Sequence, residues 1–181
     1  MKRCSWVNLN NQLYVKYHDD EWGIPKFDDN VLFEFLVLEM FQAGLSWEII
    51  LNKRESFRKS FDDFQIDKII SYDEDKVLKL MQDKSIIRNK RKIQAMIKNA
   101  SVFKSIQEEF GSFANYIWSY TNGEIVKSNV VRSTSPLSDE ISCDLQKRGM
   151  SFVGSTIIYS YLQAIGIIND HDIDCFKCCK V

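Results

Sequence analysis

The sequence predicts an all-α protein built as one continuous unit. Three observations carry that reading. Only two prolines and seven glycines occur among the 181 residues, which suits long helices better than a turn-rich β fold. Apolar residues recur at helical spacing in several capped segments, and no segment alternates as a half-buried strand would. No internal repeat, low-complexity tract or linker divides the chain.

Residues 1–27 are rich in aromatics (Trp6, Tyr14, Tyr17, Trp22, Phe27) and read as irregular. Asp28 and Asp29 then offer a cap to the helix NVLFEFLVLEMFQAG, which Gly44 ends. Ser46 caps the next helix, WEIILNKRESFRKSF, where Ile49, Ile50, Phe57 and Phe61 share helical spacing with charges between them. DEDKVLKLMQD reads as a short helix with an acidic start. NKRKIQAMIKNASVFKSIQEEF is a longer one stopped by Gly111, and SFANYIWSY is another. Residues 121–135 carry Asn, Gly and Ser and read as a loop. Pro136 opens PLSDEISCDLQKRG, and after MSFVG comes STIIYSYLQAIG.

A chain of this length buries about 70% of the surface its unfolded form exposes, so its core needs no covalent staple. Its five cysteines (Cys4, Cys143, Cys175, Cys178, Cys179) are an odd number. In a reducing compartment such residues are metal ligands or ordinary thiols. No run approaches the roughly 18 apolar residues of a membrane span, and MKRCSWVNLN lacks a signal-peptide core. The expectation is a cytoplasmic monomer with no membrane partner. Net charge is −1, which excludes a global attraction to nucleic acid; any such contact rests on a local patch.

Glu39 lies within LFEFLVLEMFQAG, a helix with hardly any polar face and therefore buried. A buried carboxylate must be protonated, paired, or lining a polar cavity. Glu39 either pairs with an Arg or Lys, or faces a ligand carrying donor groups or positive charge. Trp47 and the N-terminal aromatics are core residues or, with Glu39, the walls of a site for a planar cationic ligand. Further on, LQKRGMSFVGSTIIYSYLQAIG reads as helix, glycine turn, helix, with Gly149 stopping the first helix and Gly154 permitting a close turn. It is either a plain helical hairpin or, through the backbone N–H groups at Gly154, Ser155 and Thr156 with Lys147 and Arg148 beside them, a holder of nucleic-acid backbone. The run RNKRK at 88–92 is a second basic patch or simply a solvated face.

The tail segment NDHDIDC sets His171 and Cys175 four positions apart, and the N-terminal segment holds Cys4 and His18, the other histidine of the chain. Those four residues would give zinc two thiolates and two imidazoles, a closed tetrahedral structural site. Cys178 and Cys179 are rival ligands. Such a site would tie the C-terminal segment to the N-terminal one.

Together these stretches resemble the bacterial 3-methyladenine DNA glycosylase I family. RCSWV, YVKYHDDEWGIP, LFEFLVLE, QAGLSWEIIL, IIRNKRKIQAMIKNA and KRGMSFVGSTIIYSYLQAIGIINDH carry the likeness, which runs from end to end except for residues 105–140. The resemblance implies a helix-hairpin-helix fold, with the hairpin at about 138–166 in a single unit spanning 1–181. It also implies removal of 3-methyladenine from double-stranded alkylated DNA by base flipping, a step of base-excision repair. By the same likeness Cys4, His18, His171 and Cys175 surround a structural Zn2+, and Glu39 is the catalytic residue, hydrogen-bonding the expelled base with Tyr17. Trp47 stacks on the base, Trp6, Tyr14 and Trp22 line the pocket, and the Gly44–Leu45 corner fills the gap in the duplex.

The chain departs from the family at Arg91, where glycine is common, and in the tail DCFKCC. Related helix-hairpin-helix glycosylases carry a catalytic aspartate where this chain holds Asn169; Asp170, one step on, is not assigned that role. A non-catalytic binder of alkylated DNA is the alternative, and a zinc-clasped helical domain that binds a protein partner is a third reading.

Overall fold

The computed structural model describes residues 1–128 and 132–178, and helices dominate it. The first, α1 (Gln12–Asp20), forms inside the segment expected to be irregular. Asn11 starts it by accepting hydrogen bonds from the backbone N–H groups of Leu13 and Tyr14, which satisfies two of the donors a helix start leaves unpaired. Helix α2 (Asp29–Gln42) buries ten successive residues, Leu32 to Phe41, and is the centre of the molecule. Around it pack α3 (Trp47–Ser60), α6 (Lys90–Phe110), α7 (Phe113–Ser119) and α9 (Ser155–Ala164).

The two aspartates before α2 divide their work. Asp28 caps α2 through the N–H of Val31. Asp29 turns to α7 instead and accepts the N–H groups of Phe113 and Ala114. Ser46 caps α3 as expected, through the N–H of Ile49. Ile49 itself is exposed, however, and Ile50, Leu51 and Phe57 supply the core face. A 3₁₀ turn at Asp62–Phe64 and the short α4 (Ile66–Ile70) follow. Next come α5 (Glu74–Gln82), capped by Asp73, and α6, capped by Asn89 and ended by Gly111 at φ +81°. The rings of Phe103 and Phe113 stack at 3.8 Å where α6 meets α7.

The loop expected over 121–135 contains a two-residue strand, β1 (Val126–Lys127), paired in parallel with β2 (Ile168–Asn169). Helix α8 (Pro136–Lys147) opens on a capping box between Ser135 and Ser138. The chain turns over 148–154 and re-enters α9, against which α8 packs. No helix among the described residues is long and apolar enough to cross a membrane.

Two polar clusters fix the bundle around α2. Glu34, buried on α2, accepts from Arg54 Nε at 2.6 Å and Arg58 Nε at 3.0 Å, and Arg54 reaches on to Glu21 at 2.6 Å. At the other end of α2 the buried Lys92 of α6 donates to the carbonyls of Phe41 and Ala43, both at 2.7 Å. A cation at a helix C-terminus meets unpaired carbonyls and the negative end of the dipole. RNKRK is therefore not one solvated face: Lys90 pairs with Glu74 and Lys92 is core.

Candidate functional site

A cavity of about 790 Å³ opens where α1, the start of α3, the middle of α2 and the tail converge. Glu39 enters it from α2. It is only 4% exposed, and among the described residues no cation and no hydrogen-bond donor meets its carboxyl group, unlike Glu34 one and a half turns earlier. Burial alone pushes its pKa up to about 8, because removing water penalises the charged form. The alternative of a structural pair with Arg or Lys is thereby removed.

Aromatic rings form the walls. Trp47, the first residue of α3, lies 5.1 Å from the ring of Tyr17, and its buried indole N–H has no acceptor among the described residues. Tyr17 is buried on α1, and its hydroxyl pKa is raised well above the usual value, first by burial and then by the nearby Glu39. Trp6 sits 5.6 Å from Tyr14 and 4.8 Å from Trp22 and closes the outer side. All six residues singled out in the sequence as a pocket thus line one cavity.

The polar rim was not foreseen. Gln42, Ser160, Gln163, Arg132 and Asp170 also face the cavity. Ser160 and Gln163, one turn apart on an otherwise apolar α9, were the available signal. Asp170 is held by the hydroxyl of Tyr159 and the amide of Gln163, both at 2.6 Å. Asn169 is buried and turned to the backbone, where it accepts the N–H of His171.

The clasp lies directly behind the cavity. Cys4 Sγ is 3.4 Å from His171 Nδ1, and Cys175 Sγ is 3.4 Å from His18 Nε2 and 3.6 Å from His171 Nδ1. The four donor atoms all lie within 4.8 Å of one another and all four residues are buried, so the group could hold a metal ion. Behind it, His18 Nδ1 meets Asp19 at 2.8 Å, and Asp19 also takes the Arg3 guanidinium. Burial pushes the Cys4 thiol up to about 12 and the His171 imidazole down to about 4. Gly23, at φ +75°, leaves the space that His171 fills; a Cβ there would stand 2.8 Å from His171 Nε2. The Trp22 ring packs edge-on to His171 at 4.6 Å, so clasp and cavity share a wall. Cys178 is not one of the four, and Cys179 lies outside the described residues.

The two turns singled out in the sequence are formed. Gly44 is exposed at φ +79°, with Leu45 half-buried beside it. Residues 149–154 join α8 to α9, and a second cleft of about 780 Å³ runs between them and α6. Arg91, Lys98, Gln146 and Gly154 are on its walls, and among the described residues no carboxylate lines it. Arg148 does not contribute a free charge, since Glu109 and Asp144 hold it at 2.6 and 2.7 Å. The hydroxyl of Ser155 is turned to Ser138 and Asp139 of α8.

Residues 6–178 match the family model described as methyladenine glycosylase. The DNA-3-methyladenine glycosylase 1 of Escherichia coli (strain K12) is 43% identical over 185 residues, covering 99% of this chain and 97% of that protein. A crystal structure of 3-methyladenine DNA glycosylase I superposes with a TM-score of 0.93 at 42% identity, over 97% of this chain and 98% of that one. A variant of 3-methyladenine DNA glycosylase I in complex with 3-methyladenine superposes equally well, at 0.93 and 30% identity, over 97% of each chain.

Proposed function

The chain belongs to the methyladenine glycosylase family, and from that premise we infer that it is a base-excision repair enzyme releasing 3-methyladenine from alkylated DNA by hydrolysis of the N-glycosyl bond. The site we assign to this reaction is the aromatic cavity. One observation carries the assignment: Glu39 is a buried carboxyl group without a partner among the described residues, in a space walled by Trp47, Tyr17, Trp6, Tyr14 and Trp22. Leaving such a group unpaired costs stability, and a ligand that supplies donors or positive charge repays it.

Methylation at N3 makes the adenine of the nucleotide cationic. When the bond from C1′ to N9 breaks, the electron pair passes to N9 and the base departs neutral. Water adds to C1′ and loses a proton to solvent. Unmodified adenine would have to leave as an anion, so no strong acid is needed for the damaged base and the intact one survives. The protein's task is to turn the nucleotide out of the stack and hold it. In this reading Trp47 stacks on the base, Glu39 and Tyr17 bond its edge, and Trp6, Tyr14 and Trp22 exclude water from the other faces. Glu39 is the catalytic residue of the set, as the ionisable group that bonds the departing base.

Double-stranded DNA is the partner of a protein acting as a monomeric, cytoplasmic, single unit. We read residues 138–166 as a helix-hairpin-helix whose turn meets the phosphate backbone at Gly154, Ser155 and Thr156. The cleft with Arg91 and Lys98 and no carboxylate supports this for a chain of near-zero net charge. The exposed Gly44–Leu45 corner, beside the cavity residues Gln42 and Trp47, is suited to fill the space of the flipped nucleotide. The clasp is read as a structural zinc site. A tetrahedral zinc with Zn–S about 2.3 Å and Zn–N about 2.0–2.1 Å would have S···N edges of roughly 3.6 Å, and the distances from Cys4 to His171 and from Cys175 to both histidines, 3.4–3.6 Å, fit that frame. Cys4, His18, His171 and Cys175 would hold such an ion with all four positions filled, and it would supply stability rather than chemistry.

Chromatography of the bases released from N-methylated duplex DNA, with unmethylated DNA as control, tests the reading. Wild-type protein should release 3-methyladenine, and Glu39→Gln should do so about 10²-fold more slowly while keeping its fold and metal. Unchanged release by the variant would move the site elsewhere. DNA binding without any release would mark a non-catalytic binder.

A further inference from the structure

Helix α6 lies behind both turns that the reading above sets against DNA. Lys92 is 5% exposed, and its ammonium group donates to the carbonyls of Phe41 and Ala43 immediately before Gly44. Asn99, 1% exposed, stands two turns along the same helix, about 10.5 Å away. Its side-chain amide donates to the carbonyl of Ser151 at 2.8 Å and its carbonyl accepts the N–H of Ser151 at 2.8 Å. The next residue, Phe152, is held at φ +57°, a region that side chains other than Gly rarely occupy and that persists only where the surroundings enforce it. From the other side Ser142 of α8 donates to the carbonyl of Val153.

Burying a lysine to bond two carbonyls is an expensive way to fill space, and an apolar side chain of similar length would do so at lower desolvation cost. What the ammonium adds is direction. It fixes where the α2 chain ends and hence where Gly44 and Leu45 point, just as the Asn99 amide fixes the hairpin turn. Both anchors are on one straight helix.

We propose that Lys92 and Asn99 are positioning residues, through which α6 holds the Gly44–Leu45 corner and the 151–154 turn at a set separation so that both engage one duplex at once. This rests on the DNA reading given above. Neither side chain lines the cavity around Glu39, so base recognition should be independent of them.

The test compares excision from methylated duplex DNA with binding of free 3-methyladenine, followed by tryptophan fluorescence, in Lys92→Met, Asn99→Ala and the double variant. Each single variant should lose about 10²-fold in kcat/KM on duplex, the scale of a small misplacement of binding groups, with free-base affinity unchanged. The double variant should be no worse than the poorer single one, because either loss already breaks the spacing; two independent structural contacts would instead add. Additive losses, a parallel fall in free-base affinity, or wild-type excision in the single variants would each overturn the proposal. If Lys92→Met does not fold, Lys92→Arg replaces it: the cation is kept and its donors are moved, and excision should fall at constant free-base affinity. Wild-type protein that releases no base would overturn the glycosylase reading, and this inference with it.

Discussion

Helix α2 carries two buried glutamates, and their surroundings treat them in opposite ways. Glu34, 8% exposed, is bonded by Arg54 and Arg58 in a network that extends to Glu21. Glu39, 4% exposed, has aromatic rings around it and no partner among the described residues. Burial is therefore not what distinguishes a functional carboxyl group here. The distinguishing feature is an unmet demand for hydrogen bonds, shared by the indole N–H of Trp47 across the same cavity. The partnered glutamate stabilises the fold, and the unpartnered one is, in the reading proposed above, the group that meets the ligand.

The sharpest contrast with the cavity is the clasp, where the two thiols and the ring nitrogens His18 Nε2 and His171 Nδ1 meet one another. On the zinc reading proposed above, Cys4→Ala or His171→Ala should lower metal content and thermal stability together, because metal binding and folding are coupled. Elemental analysis beside thermal unfolding checks this, and full metal content in both variants would remove the tetrad. Next in size, Glu34→Ala should cost about 3 kcal/mol, because it strips a partner from the buried Arg54. Denaturant unfolding would show the loss, while excision per folded molecule stays at the wild-type rate; a selective loss of excision would erase the distinction between the two glutamates.

The effect expected at Glu39 depends on pH. Its pKa is raised from 4.5 to about 8 by burial, so the folded state holds the proton more tightly than the unfolded one. The stability tied to that proton is fully present below about pH 4.5 and is lost as pH rises through 8. Glu39→Gln removes the titration. Its Tm should match wild type near pH 4.5 and exceed it by several degrees at pH 8.5, where the wild-type carboxyl group is charged. A Tm difference independent of pH would mean that the carboxyl group is solvated or paired.

Much of this was legible in the sequence because it is local. Asp28, Ser46, Asp73 and Asn89 each announce a helix start through their own side chains, and Gly111 announces an end. The apolar surroundings of Glu39 marked it as buried, and the Cys and His residues were few enough to be grouped. Contacts that span the chain were not legible. Helix α1 escaped notice because Leu13 and other exposed residues blur its apolar face, and α4 is too short at five residues to show a period. Glu34 went unremarked because its partners lie 20 and 24 positions away. Lys92 was grouped with its charged neighbours, although the carbonyls it meets lie 51 and 49 positions off. The β1–β2 pair has only two residues on each side, fewer than any alternation needs.

The clasp has a mechanical consequence. Cys4 and His171 meet across 167 positions of sequence, so a metal held by the four residues joins the two extremities of the described chain at one point. A pull on either end would load that joint first and leave the helices between Cys4 and Cys175 without tension. Yielding would then come as one event at the joint, and the cavity beside it, which shares Trp22 and His171, would open in the same step.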